Sequence, residues 1–180
     1  MIFATIGMND SPYGEMFRIL DGIAKASGEE AVFQVGNIDY VSDYAETFAF
    51  LPDEEIQKVF DRADLIVCHS GIGSILNGLN RNIPMVLVPR NVVDPNVTTD
   101  DQQAIVARKV ESLGRAVVCE DLSLLPQKVE EARNLKFPPY EKNRELTDFL
   151  SELFAGIADG SVKRKRRFRI TSGSGRAPWT

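Results

Sequence analysis

The sequence predicts an α/β protein: a single doubly wound, Rossmann-like parallel sheet of about six strands. Three observations carry that expectation. Apolar runs of four or five residues recur along the chain, segments with helical apolar spacing separate them, and glycines punctuate the ends of several runs. Strands that alternate with helices at this interval form right-handed βαβ units, and such units assemble into a parallel sheet.

The elements follow in order. Ile2–Ile6 is a compact apolar run that stops at Gly7. Phe17, Ile19, Leu20, Ile23 and Ala24 then fall on one helical face, predicting a helix over 17–26. Ala31–Val35 is the second strand and Thr47–Leu51 the third. Pro52 followed by Asp53, Glu54 and Glu55 marks a helix start, because acidic side chains suit the positive end of the helix dipole. Leu65–Cys68 and Met85–Val88 are two further strands with a short helix between them. Gln102–Leu113 reads as a helix ending at Gly114, Ala116–Cys119 as a sixth strand, and Leu122–Leu135 as a helix stopped before Pro138 and Pro139. Glu141–Ile157 reads as a last helix, with Leu146, Phe149, Leu150, Leu153 and Phe154 on one side.

Bulk properties limit the class. The chain has 180 residues, 43% hydrophobic and 26% charged, which is the profile of a soluble globular domain with a core of its own. No run of about 18 apolar residues predicts a membrane span, and the first residues lack the basic start of a secretory leader. Cys68 and Cys119 both lie in apolar runs, where reduced buried thiols of a cytoplasmic protein are expected. The charge is unevenly divided. Residues 161–180 carry seven basic residues and no acid, whereas residues 1–160 carry 14 basic and 26 acidic residues, a net charge of −12. An acidic body is not a nucleic-acid-binding surface. Residues 1–160 are therefore expected to form one domain and 161–180 a basic tail. The run from Lys163 to Arg169 is either a solvated end or an attachment to an anionic membrane surface or acidic partner.

In open parallel sheets, ligands bind beyond the carboxyl ends of the strands. The segment His69-Ser70-Gly71-Ile72-Gly73-Ser74 lies there, between a strand and a helix expected to begin near Ser74. Gly71 and Gly73 let backbone N–H groups approach a bulky anion and tolerate positive φ, and the helix start adds free amides and a positive dipole end. His69, the only histidine, is placed to donate to the same anion. The residues alone leave two readings open: a diphosphate cradle, or a tight turn with Ser74 as an ordinary N-cap. One histidine without clustered Cys, Asp or Glu predicts no metal site.

Longer stretches narrow the choice. "ADLIVCHSGIGSILNGLNRNIPMVLVPR", followed by "DDQQAIVARKVESLG", resembles the carboxyl-terminal half of GT-B glycosyltransferases of family 28. That family ends a strand in a "HAGAGS"-like loop and opens a later helix with a "DNHQ"-like stretch; "IFATIGM" and "VFQVGN" are similar to its first two strands. The resemblance covers roughly residues 1–135 and is nearest to the small subunit of two-part N-acetylglucosamine transferases. It implies that Gly7, Met8, Asn9, His69, Ser70, Gly71, Gly73 and Ser74 hold the donor diphosphate. It implies that Asp100, Gln102 and Gln103 contact the donor sugar, with Asn77 at the ribose in place of the family's usual glutamate. It further implies an inverting transfer of a sugar, most often N-acetylglucosamine, from a UDP-sugar to a lipid-linked acceptor, without a metal or other cofactor. Only one half of such an enzyme is present, so a membrane-anchored acceptor-binding subunit is expected to supply the acceptor site and the base, at the cytoplasmic face of a membrane. The alternatives are a non-catalytic module that stabilises a partner transferase and an unrelated doubly wound nucleotide or flavin protein.

Overall fold

The computed structural model describes residues 1–8, 12–94, 96, 102–140 and 151. Residues 1–140 form one compact unit and 141–180 a second. The expected last helix, the boundary at residue 160 and the basic tail lie outside the described residues.

Six strands, β1 (Ile2–Thr5), β2 (Ala31–Gln34), β3 (Glu46–Phe48), β4 (Leu65–Cys68), β5 (Met85–Leu87) and β6 (Ala116–Val118), form one sheet in the order β3-β2-β1-β4-β5-β6. Every pairing is parallel. Both faces are covered, so the strands read as unbroken apolar runs rather than alternating ones. On one face Ile2, Ala4, Phe33 and Val67 pack under α1 (Gly14–Ser27) and α6 (Leu125–Arg133). On the other, Phe3, Ile66, Cys68 and Met85 pack under α2 (Asp53–Arg62), α3 (Ile72–Arg81) and α5 (Gln102–Ser112). Fully buried side chains such as Phe3, Phe17, Phe33 and Ile66 each contribute about 1.5–3 kcal/mol by leaving water.

Several elements differ from expectation, among them α1, which begins at Gly14 rather than Phe17. β3 ends at Phe48 rather than Leu51, because the chain must turn away from the sheet edge before Pro52 caps α2. The segment after Leu122 starts as a 3-10 turn, Leu122–Leu124, in which the Asp121 carboxylate accepts from Ser123 N–H. Regular α6 begins only at Leu125, where Pro126, which has no N–H to give, fits the first turn. A four-residue helix, α4 (Arg90–Val93), also follows Pro89, where the sequence showed only a loop.

The topology fixes where a ligand would meet the sheet. The chain winds outward from β1 through β3, returns, and adds β4 on the other side of β1. In register, Thr5 lies beside Cys68, so the loops that leave β1 and β4 emerge side by side at this reversal.

Candidate functional site

At the reversal point, Thr5 braces the first loop. Its hydroxyl donates to Gln34 Oε1 at 2.6 Å and accepts from Gly7 N–H at 3.1 Å. Gly7 turns with φ +57°, a conformation that favours glycine. From β4, the backbone N–H and ring Nδ1 of His69 both lie 3.4 Å from the Thr5 carbonyl. The imidazole is held between the two loops: a Cβ on Gly7 would stand 3.2 Å from its Cε1, and one on Gly71 only 2.4 Å from its Nε2. Gly71 is therefore required by a side chain that lies across it. Tyr13, fully buried, meets the ring edge-on at 6.5 Å between centroids and donates its hydroxyl to the Val88 carbonyl at 2.9 Å.

The chain then enters α3. Contrary to expectation, the helix starts at Ile72 with Gly71 as N-cap, so Ser74 is its third residue and not its cap. Positive φ also falls elsewhere: Ser70, not Gly71 or Gly73, adopts φ +66°. For a serine this conformation is strained, and strain of this kind gathers at binding sites. Ser70 is 2% exposed, and its hydroxyl has no partner among the described residues. Among the described residues no side chain caps α3, and a Cβ on Gly73 would meet nothing within 4 Å. Open space thus adjoins Gly73 in the first turn of a ten-residue helix, which follows a half-buried imidazole and a buried hydroxyl without a partner among the described residues. An anion is the ligand this arrangement suits.

Burial lowers the His69 pKa from its ordinary value, and the bond to Thr5 only partly opposes this. With Nδ1–H donating to Thr5, the neutral ring leaves Nε2 as a lone pair. The neighbouring Cys68 is no nucleophile, since complete burial pushes its thiol up to about 12. Among the described residues, no three His, Cys, Asp or Glu side chains gather as metal ligands.

The remaining sequence candidates are dispersed. Met8 is 84% exposed in the first loop. Gln102 opens α5 and is exposed; Gln103 beside it accepts from the backbone N–H of Arg90 at 3.2 Å. Asn77 lies one turn inside α3, its amide engaged with Gly73 and Arg81. Asn9 and Asp100 lie outside the described residues. Sequence reasoning missed the Thr5–Gln34 brace and Tyr13. Neither has a local signal, because each acts through a contact distant along the chain.

These features define the class: a doubly wound α/β domain of the kind that forms one half of a GT-B glycosyltransferase. The glycosyltransferase family 28 C-terminal domain matches residues 21–155, and the chain belongs to that family. A stretch of 75 residues is 36% identical to the NDP-glycosyltransferase YjiC of Bacillus licheniformis, covering 40% of this chain and 16% of that protein. Of solved structures, the calicheamicin glycosyltransferase CalG4 matches with a TM-score of 0.58 and 18% identity over 74% of this chain and 34% of that one. ALG13 matches with a TM-score of 0.56 and 18% identity over 83% of this chain and 93% of that one. At these identities the structural likeness is one of fold. The chain spans a minor part of the first two relatives and nearly all of the third.

Proposed function

We propose that this chain is the donor-binding subunit of a two-part glycosyltransferase that moves a sugar, N-acetylglucosamine foremost, from its UDP form to a lipid-linked acceptor with inversion. The observation that carries the reading is the start of α3, uncapped among the described residues, with the Ser70 hydroxyl, unpartnered among the same residues, and His69 just before it at the strand reversal. In this reading the donor pyrophosphate sits on the first amides of α3. As the glycosidic bond to the departing diphosphate breaks, the new charge meets the helix dipole, the loop amides and His69. That stabilisation stands where a divalent cation otherwise would. Gln102 and Gln103, at the start of α5, contact the donor sugar.

A second subunit supplies the acceptor site and the general base. Two features support this. The fold matches 34% of CalG4 and 93% of ALG13. Apolar side chains also stand exposed on the elements that build the site: Ile72 (60%) and Leu76 (44%) on α3, and Met8, which follows Gly7. Among the described residues, no helix is long and apolar enough to cross a membrane. Attachment at the cytoplasmic face is assigned to the partner, aided by the basic run Lys163–Arg169 at roughly 1 kcal/mol per basic residue near an anionic surface.

The test uses UDP-N-acetylglucosamine labelled in the sugar, with purified chain, with membranes lacking it, and with both. Label should enter the lipid fraction only when both are present, and chelation with EDTA should not reduce it. Transfer by membranes alone at the same rate would contradict the reading.

A further inference from the structure

A cavity lies beyond the carboxyl ends of β5 and β6, apart from the β1–β4 reversal. Its volume is about 200 Å³, the room of about seven waters, so it takes a molecule of roughly nine heavy atoms and not a nucleotide. Its apolar walls are Pro89 and Val92 from the segment after β5, Ala104 from α5 and Val118 from β6. Neither His69 nor the glycines around it line this space.

Three polar side chains complete the lining. Arg108, one turn along α5 from Ala104, stands 3.8 Å from Glu120, which follows the end of β6. That spacing makes an ion pair without a hydrogen bond, and the side chains are 64% and 71% exposed, so each keeps its polar atoms for another partner. Asn91 is the third. Its side-chain oxygen is buried with no partner among the described residues. The last torsion of an asparagine is soft, so a small turn of the amide lets that oxygen meet a donor in the cavity.

This lining restricts its ligand. A simple anion is drawn to Arg108 and repelled by Glu120, and a simple cation meets the reverse. A wholly apolar molecule would cover both charges and compensate neither. A molecule with both charges at one end and hydrocarbon at the other suits every wall. In an α-amino acid the ammonium and carboxylate are joined through one carbon, about 3 Å apart by covalent geometry, close to the spacing of the protein's own pair.

We propose that this cavity binds a free α-amino acid with an aliphatic side chain: carboxylate on Arg108, ammonium on Glu120 and Asn91, hydrocarbon against Val92 and Val118. The inference does not rest on the donor-site reading. The cavity does lie at a junction, since Ala104 follows Gln103, Asn91 follows Arg90, and Gln103 accepts from the Arg90 N–H at 3.2 Å. An amino acid spanning those two segments braces the start of α5, which makes it an effector rather than a substrate.

The test is a ligand-observed NMR titration of L-leucine with the full chain. Glycine, N-acetyl-L-leucine and isoamylamine serve as probes that lack the hydrocarbon, the ammonium and the carboxylate in turn. Leucine should bind with a Kd of about 1 mM, the scale for a ligand of this size, and each probe at least about tenfold more weakly. Arg108→Gln and Glu120→Gln change exposed side chains and should remain folded by thermal unfolding, yet each should weaken leucine about tenfold or more. If one variant is unfolded, the other and the three probes decide. No saturable leucine binding up to about 20 mM, equal binding of leucine and its probes, or full affinity in a folded variant overturns the inference. Titration of UDP on the same samples reports the donor site separately, so either reading can fail without the other.

Discussion

His69 lies between Gly7 and Gly71 with one ring nitrogen tied to Thr5, so its only route to an anion is a proton on Nε2. Burial lowers its pKa, and the titratable side chain recorded against the ring is Tyr13, whose hydroxyl is already committed to Val88. The free ring is therefore neutral near pH 7. A bound pyrophosphate raises its pKa, so binding takes up a proton. Affinity should be greatest at acid pH, fall as pH rises through the bound-state pKa, and then level off. Titration of a UDP-sugar at pH 7, in buffers of different ionisation enthalpy, should show uptake of up to one proton, lost in His69→Gln. At this scale the sequence singled out the His69 loop, because glycines around a lone histidine beyond a strand are a local signal. It misassigned the reasons. Gly71 is needed to make room for His69, and the left-handed residue is Ser70. Both depend on how two loops meet, which no window of sequence contains.

α3 shows how element and site share residues. The sequence Asn77-Gly78 is poor helix material, yet the helix runs through it. Gly78 faces the sheet, where an added Cβ would stand 2.5 Å from Met85 Sδ and 3.3 Å from Ile66 Cδ1. Gly73 faces open space. Alanine should therefore act oppositely at the two sites. Gly78→Ala should destabilise by about 1–3 kcal/mol through overpacking, despite the better propensity. Gly73→Ala should stabilise by about 0.5–1 kcal/mol and yet weaken UDP binding, because its methyl fills the anion's approach. Denaturant unfolding of both variants, followed by titration, checks the pair; equal destabilisation would contradict it. The strands were legible because buried parallel strands are short, dense apolar runs. The Thr47–Leu51 run overreached because a chain leaving an edge strand for Pro52 keeps apolar residues that pack without pairing, as Leu51 does against the second core. Helix starts shifted by two or three residues, because caps and 3-10 turns depend on individual hydrogen bonds.

Across the whole molecule, the winding order matters more than any single element. Placing β4 next to β1 brings the Gly7 and His69 loops, more than sixty residues apart, to one edge. The alternation of elements implied such an edge but not which loops would share it, whereas the family resemblance did pair them. Ownership of the donor site by one chain and of the acceptor and base by another would make the lobe a binding protein alone and an enzyme only in company. The most direct measurement is calorimetric titration of UDP into the purified chain, with His69→Ala and Gly73→Ala in parallel. Saturable one-to-one binding, weakened about tenfold or more in both folded variants, is the predicted result. Absence of heat at millimolar UDP with folded wild-type chain, or binding that neither substitution alters, would contradict it.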